Sequence, residues 1–149
     1  MAFRHVGFLV IGFTGTAAGM TQAQLASAED VYVALNGNVL HHGLCIGSDE
    51  QMHHIAARHA AAIIGHPPVN EYKLARCECR EYRQKKPYLV RNQDIVDESD
   101  VLLATPKGNE EELRSGTWST VRYARKQHKL IFIIWPNGVV TFEAPPVYR

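Results

Sequence analysis

The chain has 149 residues, 46% hydrophobic and 21% charged, which is the size and make-up of one globular domain and excludes a disordered tail, a coiled coil or a second catalytic domain. Sixteen Lys and Arg against fifteen Asp and Glu leave a formal charge of +1, too little for a protein that coats nucleic acid or anionic lipid. Three cysteines, Cys45, Cys77 and Cys79, are odd in number and too few for a disulfide scaffold, which points to a reducing, cytoplasmic location.

Val6 to Phe13 is a nearly continuous apolar run, the pattern of a strand buried on both faces of a parallel sheet. Met1 to Ala28 can also be read as a secretory signal, with Arg4 and His5 before the apolar run and Ala26-Ser27-Ala28 as a cleavage site. The strand reading is preferred because Gly12, Thr14, Gly15 and Thr16 interrupt the run. No segment approaches the roughly 18 uninterrupted apolar residues of a membrane span. Thr21 with Gln24 forms a capping box for a first helix that Asn36-Gly37 stops. Asn38 to His42 is a short second strand. Ser48 with Gln51 repeats the capping-box pattern before an alanine-rich helix reaching about Ala62, and Ile63 to His66 is a third strand that Pro67-Pro68 ends.

Residues Pro68 to Pro87 carry no clear period and read as a long loop. Lys73, Arg76, Arg80, Arg83, Lys85 and Lys86 outnumber Glu71, Glu78 and Glu81 there, so 67–87 is a basic segment in a nearly neutral protein. Tyr88 to Glu98 fits a third helix, Asp100 to Thr105 a strand, Ser115 to Gln127 a fourth helix and Leu130 to Trp135 a fifth strand. Val139 to Phe142 fits an edge strand. Strands alternating with helices predict an α/β fold: a single three-layer Rossmann-like domain over 1–149, with a mostly parallel sheet of five or six strands. Such sheets bind ligands beyond the carboxyl ends of their strands, where this chain concentrates glycine.

Three loops at that edge suit an anion. Gly12, Thr14, Gly15 and Thr16 offer backbone N–H groups and hydroxyls after strand one, or only a tight turn. Gly43, Gly47, Ser48 and Asp49 open the second helix, where Asp49 is either a helix-start carboxylate or an acceptor for ribose hydroxyls. Lys107, Gly108 and Arg114 precede Ser115-Gly116-Thr117, the best phosphate cradle in the chain because N–H groups, two hydroxyls and a helix dipole converge there. Trp118, one turn further on, is a core residue or a platform for a base. Arg91, beside Asn92 at the start of the third helix, is a surface arginine or a bidentate phosphate ligand. Neither GxGxxG nor a Walker motif occurs.

Gly12-Phe13-Thr14-Gly15-Thr16, His42-Gly43-Leu44-Cys45-Ile46-Gly47-Ser48-Asp49, Gly65-His66-Pro67-Pro68, Lys86 to Asn92 and Ser115-Gly116-Thr117-Trp118 follow one another over nearly the whole chain. In this order they resemble the SLOG superfamily, which includes the Lonely Guy phosphoribohydrolases and the DNA-processing proteins of natural transformation; the small stand-alone bacterial and phage members are the nearest in kind. The resemblance implies a modified Rossmann sheet and a nucleotide or nucleotide-derived ligand, bound by a sensor or scavenger. Its alternative is a nucleoside 5'-monophosphate N-glycosidase that releases base and ribose 5-phosphate. The PGGxGTxxE motif of those hydrolases places Gly116-Thr117 at GT and Thr120 where the catalytic glutamate belongs, and a neutral hydroxyl cannot stabilise an oxocarbenium charge. Catalysis would then fall to Arg91 with Asp49 or Glu112. A second departure is Ala17-Ala18 after the first loop, where such members carry a basic residue.

No cofactor is required by this reading and no metal is assigned. Cys77-Glu78-Cys79 lacks a second cysteine pair, although a zinc joining these thiols to His66 or another histidine is the alternative. Cys45 is a packing residue or a thiol activated by the helix start. The expected partner is a small nucleotide ligand, with no membrane and no nucleic acid; aromatic residues in the basic segment are limited to Tyr72, Tyr82 and Tyr88. An apolar end strand and Trp135 are compatible with a homodimer.

Overall fold

Leu9–Gly15 forms β1, the central strand of a seven-stranded sheet in a computed structural model that describes residues 9–146. The start of the first apolar run, Val6 to Phe8, lies outside the described residues. In chain order the elements are β1, α1 (Gln22–Ala34), β2 (Gly37–His42), α2 (Ser48–Arg58), β3 (Ala62–Gly65), β4 (Glu81–Tyr82), α3 (Tyr88–Asp97), β5 (Val101–Thr105), α4 (Gly116–Lys126), β6 (Leu130–Ile134) and β7 (Val140–Glu143). The sheet order is β4-β3-β2-β1-β5-β6-β7, parallel except for the antiparallel β6–β7 pair. The expected α/β Rossmann-like fold is therefore present, with one or two strands more than expected.

Alternation along the strands divides the core. Ile11, Phe13, Leu40, Val101 and Leu103 join Ala28, Tyr32, Met52, Ile55 and Ala56 of α1 and α2 on one face. Leu102, Ala104, Ile131 and Ile133 meet Val96, Trp118, Val121 and Ala124 of α3 and α4 on the other. A parallel strand buried on both faces needs apolar residues at every position, which is why β5 and β6 read as unbroken runs. Gly12 has a packing task in this arrangement. A Cβ there would lie 2.5 Å from Ser99 Oγ and 3.2 Å from Ile95 Cγ2, so Gly12 lets α3 approach β1.

The α1 capping box forms as expected: Gln24 N donates to Thr21 Oγ1 at 3.0 Å, and Thr21 N to Gln24 Oε1 at 2.9 Å. Gln24 is itself buried, and its Nε2 donates to Pro106 O and Ile134 O at 2.9 Å each. It ties the start of α1 to the carboxyl ends of β5 and β6. The second capping box does not form. Gly47 is the N-cap of α2, Ser48 N donates to Thr16 O at 3.1 Å, and Gln51 Oε1 instead accepts from Met20 N at 2.7 Å. Helix α2 also ends at Arg58, short of Ala62, which pairs with Val39 as the first residue of β3.

The segment 67–87 is not wholly a loop. Arg80 N donates to Ile63 O and Arg83 N to Gly65 O, so β4 extends the sheet beside β3. Leu74 bridges Cys45, with Ala75 N donating to Leu44 O at 2.7 Å and Ile46 N to Lys73 O at 2.9 Å. Among the described residues no helix is long and apolar enough to cross a membrane.

Candidate functional site

Strand order reverses between β1 and β5, so the chain departs in opposite directions after these neighbours and leaves a crevice beyond their carboxyl ends. A cavity of about 730 Å³ occupies it. Thr14, Gly15 and Thr16 at the end of β1, Gly43 and Asp49 around the start of α2, Arg91 and Asn92 of α3, and Lys107, Glu112, Ser115, Gly116 and Thr117 around the start of α4 all line it. Residues separated by up to a hundred positions are brought together here. Gly12, Gly47, Ser48, Gly108 and Trp118 do not line it. Gly47 has φ +86° and a Cβ would press on Ala17 O; Ser48 lies beneath Gly15, whose Cβ would be 2.5 Å from Ser48 Cβ. Gly108 sits behind Lys107, near Glu112. Trp118 is 3% exposed and packs on Trp135, ring centroids 5.7 Å apart, so no base can stack on it.

The two helix starts behave differently. The first N–H of α2 is taken by Thr16 O, and Asp49 turns its Oδ2 back to Gly43 N and Cys45 N at 3.1 and 3.2 Å. That terminus carries its own carboxylate at the cavity wall, which disfavours an anion there. At α4, Ser115 Oγ accepts from Trp118 N at 3.2 Å, while Gly116 N and Thr117 N carry no hydrogen bond among the described residues. A Cβ on Gly116 would meet nothing within 4 Å, so this helix start looks onto open space. Unpaired N–H groups and the dipole favour an anion there.

Arg91 is buried at 7% exposure and anchored from three sides. Its Nη1 donates to Gly43 O and to His66 O, the latter at 3.2 Å, and its Nε donates to Asn92 Oδ1 at 2.7 Å. The guanidinium carbon lies 5.3 Å from the centroid of the Tyr88 ring. Gly43 makes room for it, since a Cβ would stand 2.6 Å from Nη1. Nη2 carries no hydrogen bond among the described residues, which suits a donor held for a ligand.

Burial pushes the Asp49 carboxyl up to about 6, against the opposing pull of Arg91 and the two backbone N–H groups. The folded protein holds this proton more tightly than the unfolded chain, so the stability it confers is fully present below pH 3.8, falls as pH rises and is gone above about pH 6. The difference is on the order of 3 kcal/mol at neutral pH. Asp49→Asn is expected to remove this slope, so that urea midpoints of the protein and the variant diverge in the variant's favour between pH 4 and 7. A constant difference across that range would mean that Asp49 titrates normally.

Burial also raises the Cys45 thiol above its usual range, which removes it as an activated nucleophile, and raises Cys77 to about 11. Thr120 donates its hydroxyl to Gly116 O at 2.8 Å and lies outside the large cavity. Three of the six cations of the basic segment are paired: Arg83 with Glu98 and Glu81, Lys85 with Glu71 at 2.5 Å and Lys86 with Asp94 at 2.6 Å. What sequence reasoning missed is its contribution to the cavity, which Asn70, Tyr72 and Lys73 line, together with Tyr88 at the start of α3. Tyr72 in a polar run was the available signal; the bridge between Cys45 and Leu74 that carries it to the site is a long-range pairing with none.

No protein-family model matches the chain, and no curated protein matches it. Among solved structures it is similar to a molybdenum cofactor binding protein from the phototrophic bacterium Rippkaea orientalis, with 26% identity and a TM-score of 0.66 over 85% of this chain and 76% of that one. Two structures of the molybdenum cofactor carrier protein from Chlamydomonas reinhardtii match at 22% and 21% identity, with TM-scores of 0.58 and 0.55. These cover 83% and 86% of this chain and 74% and 75% of theirs, and at that identity they show a shared fold.

Proposed function

We propose that this protein binds and holds a small phosphorylated heterocycle, of the class that includes nucleotides and the molybdenum cofactor, without transforming it. The observation that carries this reading is the open start of α4. Gly116 N and Thr117 N face a cavity that also receives Lys73, Arg91, Lys107 and Arg114 against only two carboxylates, Asp49 and Glu112. A phosphate on those N–H groups leaves the ring of the ligand toward the rim, where Tyr72 is 84% exposed and offers a stacking face. The likeness to molybdenum cofactor binding and carrier proteins supports the ligand class. Holding is favoured over hydrolysis because Asp49 is already committed to two backbone N–H groups and Thr120 to Gly116 O.

The test is a thermal-shift series with molybdenum cofactor and with nucleoside mono-, di- and cyclic phosphates, each well then analysed chromatographically. Stabilisation by the cofactor or by a nucleotide, with the ligand recovered whole, is the expected result. Free base in the nucleotide wells would overturn holding and establish the phosphoribohydrolase. Gly116→Ala sharpens the test, because the added methyl touches no protein atom and enters the space assigned to phosphate. It should leave the melting temperature of the empty protein within about 2 °C, since alanine suits a helix better than glycine. Ligand affinity should fall about tenfold or more; unchanged affinity would place the phosphate elsewhere.

A further inference from the structure

A second cluster of polar side chains lies outside the cavity. His41 of β2, His66 just after β3 and Glu98 at the end of α3 bring one nitrogen or oxygen each to within 4.8 Å of one another. His41 Nδ1 and His66 Nε2 are 2.7 Å apart, and Glu98 Oε2 stands 3.6 Å from His66 Nε2, beyond hydrogen-bond reach. Both histidines are buried, His41 at 4% and His66 at 1% exposure, whereas Glu98 is 36% exposed, so the cluster is closed on the protein side and reaches solvent on the other.

From this convergence of two imidazole nitrogens and a carboxylate oxygen we propose that His41, His66 and Glu98 form a binding site for a divalent transition-metal ion of the zinc class, with a solvent molecule as fourth ligand. Ligand atoms around tetrahedral zinc stand about 3.3 Å apart, given metal-to-ligand distances of roughly 2.0–2.1 Å. Binding therefore opens the 2.7 Å His41–His66 distance by about half an ångström and shortens the 3.6 Å Glu98 Oε2–His66 Nε2 distance by less, while Oε2, within 4.8 Å of the His41 nitrogen, closes on it by rotation of the partly exposed Glu98 side chain. A supporting shell is present. Arg83 Nη2 and Nε hold Glu98 Oε1 at 2.7 and 3.0 Å, while Oε2 receives only the longer 3.2 Å contact, so the guanidinium orients the carboxylate and leaves the oxygen nearer His66 for the metal. Glu81, at 3.3 Å from Arg83, offsets part of the positive charge beside the site.

The neighbouring cluster of His42, His53 and Cys79 has similar spacing and fails on its tautomer. Leu44 N donates to His42 Nδ1 at 3.0 Å, so the neutral His42 ring carries its proton on Nε2, the atom that faces His53 Nδ1 at 3.0 Å. A protonated nitrogen cannot ligate. No backbone N–H donates to the His41 or His66 ring among the described residues, so the proton shared across the 2.7 Å contact can pass to an outer ring nitrogen, His41 Nε2 or His66 Nδ1, and leave both facing lone pairs to the metal. Of the two thiols considered for zinc, Cys79 groups with His42 and His53 and not with His66, and Cys77 packs with Leu44 and Ala75.

The experiment uses full-length protein stripped with EDTA and dialysed free of chelator. Zn2+ at about one hundred times its dissociation constant should raise the melting temperature by about 5–10 °C. Co2+ should give visible d–d bands without thiolate charge transfer. Glu98→Gln, at a partly exposed position, should abolish both signals with little effect on the metal-free melting temperature, and His41→Gln should do the same at lower stability. His53→Gln should keep both. Absence of any metal-dependent shift, thiolate charge transfer that assigns the ion to Cys79, or a shift that survives both Glu98→Gln and His41→Gln overturns the proposal.

Discussion

Arg91→Ala is expected to weaken binding of a phosphorylated ligand about 100-fold, the largest effect of any single substitution in the cavity. Arg91 is a buried cation whose Nη1 and Nε are engaged by Gly43 O, His66 O and Asn92 Oδ1, so its remaining donor is held in place before a ligand arrives. Loss of a pre-positioned, charge-assisted hydrogen bond costs about 3 kcal/mol at a desolvated site, which is close to two decades in affinity. Lysine cannot replace it, because one ammonium on a flexible stem cannot satisfy two carbonyls and still reach the ligand. The variant also strands Asp49, whose carboxyl is already pushed up to about 6. Without the guanidinium its pKa should rise further and stability at pH 7.5 should fall, so calorimetric titrations belong beside urea unfolding and should be repeated with Arg91→Ala/Asp49→Asn. Restored stability with binding still lost assigns the affinity to Arg91 itself. Undiminished affinity in Arg91→Ala would leave the α4 start and the rim lysines as the whole phosphate site.

Gly47→Ala should destabilise the fold by about 3 kcal/mol, lowering the melting temperature by roughly 6–12 °C for a domain of this size. The backbone of Gly47 lies at φ +86° and ψ −121°, a region that an L side chain rarely enters. A Cβ would also meet Ala17 O inside contact distance, with Ala17 C at 2.6 Å and Gly19 N at 2.9 Å. These are backbone atoms and cannot rotate away. The cost extends to the site, because the loop after β1 is held by Gly19 N and Ser48 N on Thr16 O, both at 3.1 Å, and would have to separate from α2. Ligand binding should fall with stability, in contrast to Gly116→Ala, which spares the fold. A urea midpoint unchanged in Gly47→Ala would mean that the two loops part without cost.

The contrast between the starts of α1 and α2 shows where sequence reading succeeded and where it failed. Thr21 with Gln24 and Ser48 with Gln51 have the same local pattern, and only the first makes a capping box. Thr21 is exposed and its side chain can turn to its own helix; Ser48 is buried beneath Gly15 with its Oγ unpartnered, and Gln51 is drawn away to Met20 N. Tertiary packing overrode a signal worth about 1 kcal/mol. Trp118 and Gly12 followed the same rule, since their neighbours in space, Trp135 and Ser99, decide that both serve the core.

The order of the helices and of every strand but β4, the parallel sheet and the glycine loops at its carboxyl edge were determined by the sequence alone, because apolar runs, helical spacing and local turn chemistry are written over a few residues each. Only the tertiary structure decided which of those loops opens onto a cavity, that Arg91 is buried against Gly43 and His66, and that Asn70, Tyr72 and Lys73 reach the same space. Those facts depend on carbonyls and strand pairings dozens of residues away, where burial and hydrogen-bond satisfaction, not local pattern, set what a side chain does.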